Sequence, residues 1–289
     1  MKIGVSSYSF NRYLKDRRGD YGDILKIAKE CGFEGVEFID LVNEGWGQVG
    51  DPLEIARAVR EKADELGLAI PAYTVGANLL ASDPDAEVER LCRALDVAAM
   101  LGAGVFRHDA SFSLKKLPGY TWESGIRDMV PLIRRIADYA AGLGIRTCSE
   151  NHGMIYQDAV RMEQLIRAVD HPNYGWLVDI GNFIVADGDP LESVKRAAPY
   201  AFHVHAKDFI IKRGDLVPAP VGFAKSRGGN LWRGTVLGHG VIPVPECLRA
   251  LAQSGYDGWV SLEFEGIEDN LAGIKNGFAY LRASVDALN

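Results

Sequence analysis

Residues 201–208 read Ala-Phe-His-Val-His-Ala-Lys-Asp. In an extended strand successive side chains point to opposite faces, so His203, His205 and Lys207 share one face and Phe202, Val204 and Ala206 the other. Imidazoles and an ammonium on an inner face need water, a partner charge or a metal, because unpaired burial is costly. The strand therefore reads as one wall of a site, and outward from it the chain repeats one pattern. Apolar strand-like runs lie upstream at 2–8, 35–38, 68–73, 104–107, 145–149 and 175–179, and downstream at 258–263. Helices are expected between them. One covers 21–30 and stops at Gly32. Asp51-Pro52 and Ser82-Asp83-Pro84 each set a capping side chain before a first-turn proline, and Gly67 and Gly102 close the helices they open. Met129, Ile133, Ile136, Ala140 and Leu143 form a helical stripe. Further helices are expected over 158–169, 190–198, 245–253 and along Leu271, Ile274, Phe278, Leu281 and Val285.

Strands alternating with helices imply parallel pairing and right-handed crossovers. Eight such units in 289 residues close most simply into a single-domain (β/α)8 TIM barrel over 1–289, since barrels of roughly 250 residues are single units. No linker or low-complexity tract divides the chain. A doubly wound open sheet is the competitor, but no Gly-x-Gly-x-x-Gly follows an early strand. A glycine-rich loop insertion over 209–238 separates the seventh strand from the next helix.

The hydrophobic content of 47% is ample for a core, and the net charge of −7 argues against a nucleic-acid surface, which needs a basic face. A small-molecule carbohydrate or other polar substrate fits better. Cys31, Cys92, Cys148 and Cys247 are scattered, which reads as reduced packing thiols in a cytoplasmic protein. The amino terminus reads as a strand rather than a signal peptide, and no apolar run reaches the roughly 20 residues that span a bilayer, so no membrane is expected.

In such a barrel the chemistry sits where strands end and loops begin, at the carboxyl-terminal face. The last polar residues of strands five to eight are Glu150, Asp179, His205 and Glu263, spaced 29, 26 and 58 residues apart. Three carboxylates gathered there would repel one another. A divalent cation resolves the conflict, and oxygen-rich ligation with one nitrogen suits Mn²⁺ first, with Mg²⁺ or Co²⁺ as alternatives, better than a structural zinc.

The runs Ser149-Glu150-Asn151-His152-Gly153, Val178-Asp179-Ile180-Gly181-Asn182, His203-Val204-His205-Ala206-Lys207-Asp208 and Gly258-Trp259-Val260-Ser261-Leu262-Glu263 resemble the xylose isomerase-like TIM barrels of the sugar phosphate isomerase/epimerase group. Ketose 3-epimerases, hydroxypyruvate isomerases and inosose dehydratases belong to that group. The resemblance implies metal ligands at Glu150, Asp179, His205 and Glu263, with Glu150 and Glu263 also acting as acid/base on opposite faces of the substrate through a cis-enediolate. It also implies a homo-oligomer, dimer or tetramer. Ketose 3-epimerases of the group carry His three residues after the aspartate ligand and Arg six after the histidine ligand. This chain has Asn182 and Ile211 there. The run from His205 to Asp208 resembles the dehydratase branch, where an ammonium can protonate a leaving oxygen. A metal-dependent lyase on the same scaffold is thus the first alternative, and a non-catalytic sugar-binding barrel the second. An abasic-site endonuclease would need more histidine ligands and a basic groove.

Candidate substrate contacts are His152, Asn182, Lys207, Trp232 and Arg233. Each has a plainer reading: His152 as a helix cap, Lys207 as a salt-bridge partner, and Trp232 and Arg233 as solvated insertion rather than a sugar-stacking or phosphate-holding lid. His203 is either a partner beneath a ligand or a packed histidine. Arg107 with Asp109 reads as a structural ion pair, Glu37 as part of a polar barrel layer, and His171 as a surface turn residue.

Overall fold

The computed structural model describes residues 1–16, 18–216 and 218–288. Eight parallel strands close into a barrel: β1 (Lys2–Ser6), β2 (Gly35–Ile39), β3 (Ala72–Val75), β4 (Val105–His108), β5 (Arg146–Glu150), β6 (Tyr174–Asp179), β7 (Ala201–Ala206) and β11 (Trp259–Leu262), in the order β1-β11-β7-β6-β5-β4-β3-β2. A short helix α1 (Asn11–Lys15) follows β1. The crossovers are α2 (Tyr21–Cys31), α3 (Pro52–Leu66), α4 (Pro84–Leu101), α5 (Trp122–Gly142), α6 (Ala159–Val169), α7 (Pro190–Ala197) and α8 (Val244–Gln253), and α9 (Asn270–Asp286) ends the chain. The start and stop signals act as expected. Asp51 and Asp83 accept backbone N–H bonds ahead of the first-turn prolines, and Gly32, Gly67 and Gly102 close their helices in the left-handed conformation. None of the helices among the described residues is long and apolar enough to cross a membrane.

Four expectations are corrected. The first strand ends at Ser6, and Ser7–Phe10 turns into a 3-10 helix. The third begins at Ala72 rather than 68, because Pro71 cannot donate to a ladder, and Ala69 makes only an isolated bridge to Gly35. Phe202 does not sit with Val204 and Ala206. The β6–β7 register jumps from Trp176 opposite Ala201 to Leu177 opposite His203, so Phe202 is the extra residue of a bulge. It packs against Ala72, Val105, Cys148 and Leu177, a cluster apart from the main core. Finally, the insertion is not a loop. Asp208 opens β8 (Asp208–Lys212), which pairs antiparallel with β10 (Leu231–Thr235), itself paired with β9 (Ala224–Lys225).

The bulge leaves a mark in sequence. A Cβ at Gly175 would lie 2.7 Å from the Phe202 ring, and the Arg146 guanidinium covers that ring at 4.7 Å. Gly175→Ala is expected to lower stability by about 1–3 kcal/mol through overpacking, read as a lower urea midpoint at unchanged slope. A wild-type midpoint would mean that the ring moves aside freely.

The insertion is tied down at both ends by one side chain. The Asp208 carboxylate accepts the N–H groups of Phe209, Gly238, Gly240 and Ile242 at 2.8–3.0 Å.

Candidate active site

Strand register sets the site. Asp179 on β6 lies opposite His205 on β7, and His205 opposite Ser261 on β11, so Glu263, two residues past Ser261 and one step beyond the end of β11, projects on the same face just above the histidine. Glu150 closes β5. One ligand-type atom from each of Glu150, Asp179, His205 and Glu263 lies within 4.8 Å of the others. His205 Nδ1 faces Glu263 Oε2 at 3.4 Å, Asp179 Oδ2 at 3.7 Å and Glu150 Oε1 at 3.8 Å.

Each carboxylate is aimed by its surroundings. Asp179 Oδ1 accepts the N–H groups of Gly181 and Asn182 at 2.8 Å, which turns Oδ2 toward the histidine. Asn151 braces the same strand end, donating to the Asp179 carbonyl and accepting from the Asp179 N–H and the Trp176 indole. Asn182, a candidate substrate contact, instead donates to Glu150 Oε1 at 2.8 Å. Arg107 holds Glu150 Oε2 at 2.5 Å and Asp109 at 2.8 Å. It is thus an ion pair, as the sequence suggested, but one that grips a candidate ligand and lines the cavity. Lys207 lies 2.5 Å from Glu263 and 3.1 Å from Asp179.

Charge follows position. Burial would raise the Glu150 carboxyl, but Arg107 and His205 hold it well below the usual range. Burial likewise opposes Glu263, yet Lys207 and His205 bring it down to about 2. Both are ionised at neutral pH. Burial disfavours the His205 imidazolium, while Glu37 and Glu263 push its pKa well up. A ring nitrogen facing three carboxylates thus calls for positive charge between them. His205 Nδ1 is buried without a hydrogen-bond partner, and Asp179 Oδ2 has only the Lys207 ammonium at 3.1 Å. Hard oxygens with one imidazole nitrogen are the donor set of Mn²⁺ or Mg²⁺, so these residues fit a divalent cation.

Glu150, His205 and Glu263 form one wall of a cavity of about 260 Å³, with Asp179 buried behind them. His152 lines it too, with Nδ1 3.0 Å from Asp109 and Phe112 edge-on at 5.5 Å. Trp232 and Arg233 are not brought there. They line a neighbouring cleft of about 380 Å³ that adjoins the cavity at Tyr8 and Glu265. Trp232 packs edge-on against Phe209, and Arg233 lies over Phe223 and 3.6 Å from Glu268. His171 sits at the surface as expected, half-buried and 3.1 Å from the exposed Asp138.

Sequence reading missed four cavity residues with polar side chains, Tyr8, Asp40, Thr74 and Glu265, along with Ile39, Gly76 and Phe112. Glu265 was within reach, since it continues the alternation Ser261, Glu263, Glu265 past the strand end. Burial and the charges of Glu263 and Asp179 raise its carboxyl. Asp40 gave no signal. It turns the chain out of β2 with φ +27°, a backbone region that non-glycine residues rarely adopt.

A family model described as Xylose isomerase-like TIM barrel matches residues 25–284. The chain is 29% identical over 222 residues to the rhizopine catabolism protein MocC of Rhizobium meliloti, covering 72% of this chain and 66% of that one. It is 27% identical over 135 residues to an inosose dehydratase of Lacticaseibacillus casei, covering 46% and 45%. The chain therefore spans less than two thirds of the length of these relatives. Among solved structures it resembles the probable 3-DHS dehydratase AsbF of Bacillus anthracis, with TM-score 0.74 at 21% identity over 98% and 99% of the chains. An L-ribulose 3-epimerase gives TM-score 0.74 at 17% identity over 100% and 96%. A xylose isomerase-like TIM barrel protein of Mycobacterium smegmatis solved in complex with magnesium gives 0.73 at 19% over 100% and 98%. With a family model running along most of its length and a closed barrel of that type, the chain belongs to the xylose isomerase-like TIM barrels.

Proposed function

We propose that the protein is a divalent-metal-dependent isomerase or epimerase of a sugar or sugar derivative. The observation that carries this reading is the convergence of Glu150, Asp179, His205 and Glu263 within 4.8 Å of one another, three of them lining the cavity. These four residues would hold the cation. Bound there, it would polarise a carbonyl and its neighbouring hydroxyl and acidify the carbon between them.

The protein's own groups do the rest. Glu150 and Glu263 are ionised bases, and a carboxylate that takes a proton at one oxygen can return it elsewhere on the enediolate. Arg107 and Asn182 fix Glu150 while Lys207 fixes Glu263, so neither carboxylate must reorganise as charge moves. To His152 and Lys207, which line the cavity, we assign contacts to substrate hydroxyls. Free thiols fit a reducing compartment, and we place the enzyme in the cytoplasm.

A dehydratase is the second reading. It is favoured by the Lys207 ammonium inside the cavity and by the likeness to proteins named inosose dehydratase. One experiment separates the two. The Mn²⁺-loaded protein is incubated in D₂O with an inosose and a panel of ketoses and their phosphates. The leading reading expects an isomeric product that carries solvent deuterium. A product lighter by one water supports the dehydratase, and absence of both exchange and product across the panel counts against catalysis on these sugars. Removing the metal with a chelator is expected to abolish exchange, and Mn²⁺ to restore it. Exchange that survives full metal removal overturns the metal-dependent scheme.

A further inference from the structure

We propose that Glu37 is a positioning residue that fixes the tautomer of His205 and thereby aims the Nδ1 lone pair into the cluster. This rests on the metal-dependent reading above and adds a residue that lies outside the four proposed ligands and does not line the cavity. Glu37 is fully buried in the middle of β2. Its strand is not a neighbour of β7: β1 and β11 lie between them around the barrel. The side chain therefore reaches across the interior to meet both histidines of β7.

Glu37 Oε1 lies 2.8 Å and Oε2 3.0 Å from His205 Nε2, and Oε2 lies 2.8 Å from His203 Nε2. Ser261 Oγ is 2.8 Å from the same His203 nitrogen. A carboxylate can only accept, so the proton of His205 must sit on Nε2. In the neutral ring that leaves Nδ1 unprotonated. This nitrogen is the buried one without a hydrogen-bond partner that faces Glu263, Asp179 and Glu150 at 3.4–3.8 Å. Without Glu37, the ring would gain by moving its proton to Nδ1 and donating to those carboxylates, and a protonated nitrogen ligates nothing. His203 pins the carboxylate from below, so its own task is to hold Glu37 in place.

Glu37→Gln is the discriminating change, because it keeps shape but not acceptor number. An NH₂ in the Oε1 position faces His205 and one in the Oε2 position faces both rings, so in either flip His205 Nε2 meets a donor and is pressed to accept. The test uses the full chain with ¹⁵N-histidine. Two-bond ¹H–¹⁵N spectra read the tautomer of the metal-free protein at a pH raised until the ring has lost its imidazolium proton, with His205 assigned through a His203→Gln spectrum. Equilibrium dialysis reads Mn²⁺ affinity. Wild type is expected to show His205 as the Nε2–H tautomer. Glu37→Gln is expected to bring Nδ1–H signal and a 10- to 100-fold loss of Mn²⁺ affinity, the range typical for removing a group that orients a ligand. Glu37→Asp, which keeps two acceptors, should recover part of that loss and serves if the glutamine variant does not fold. Wild-type His205 found as Nδ1–H, or Mn²⁺ affinity unchanged in a folded Glu37→Gln protein, overturns the inference. Wild type that binds no Mn²⁺ while showing the expected tautomer would instead sink the metal-dependent reading and leave the role of Glu37 in orienting the ring standing.

Discussion

Replacing Glu150 by Gln is expected to lower turnover about 10³-fold, the usual scale for a lost acid/base group, while the barrel stays folded. The reason lies in the neighbours. Gln fills the same volume, and its carbonyl oxygen can keep the Asn182 bond now made at Oε1 or face Arg107, but not both. If the amide NH₂ turns to Arg107, two donors oppose each other. Arg107 retains Asp109 at 2.8 Å, so a partner for its charge survives and the fold need not change. What disappears is the base of the proposed proton transfer and one of the three negative charges facing His205 Nδ1. Turnover and Mn²⁺ affinity should therefore both fall, with the far-ultraviolet circular dichroism unchanged. Turnover within about tenfold of wild type would show that Glu150 handles no proton.

The largest stability effect should come from Arg107→Leu. The guanidinium is 4% exposed and bridges Asp109 and Glu150, with a further N–H to the Val75 carbonyl at 3.3 Å. Removing one partner of a buried ion pair costs about 3–5 kcal/mol, because it leaves uncompensated charge behind. Here two carboxylates would be left. Urea denaturation measures the loss, and Asp109→Asn in the same chain should return part of it. Arg107→Lys should not rescue fully, since a single ammonium cannot reproduce a planar fork that serves three acceptors. A loss below about 1 kcal/mol would mean that water enters to solvate the pair.

The fold was legible because helix punctuation and apolar runs recur along the whole chain. Asp51-Pro52 with Gly67, and Asp83-Pro84 with Gly102, mark helix ends by local chemistry alone. The four strand-end residues were legible because their positions in the β/α repeat put them on neighbouring strands. What stayed hidden depends on contacts between distant segments. Glu37 reads as one polar residue in an apolar strand, and its meaning appears only when the barrel closes and carries it to His203 and His205. The inward turn of Phe202 depends on a register jump against β6, which no local pattern announces. The insertion read as a loop because its strands are short and glycine-interrupted, and their pairing is antiparallel within a chain otherwise built of parallel crossovers. Trp232 and Arg233 were drawn into the site by residue type, whereas their strand faces the adjoining cleft.

Asp208 has a consequence for how such a protein diversifies. By gripping the backbone on both sides of the excursion, one carboxylate fastens the roots of the three-stranded flap to the barrel rim, and nothing in that fastening depends on the tip. The far end of the flap has separate moorings: Ser226 and Asn230 donate to Asp187, and Arg227 pairs with Asp158. Selection can therefore reshape the side of the flap that lines the adjoining cleft without loosening its roots.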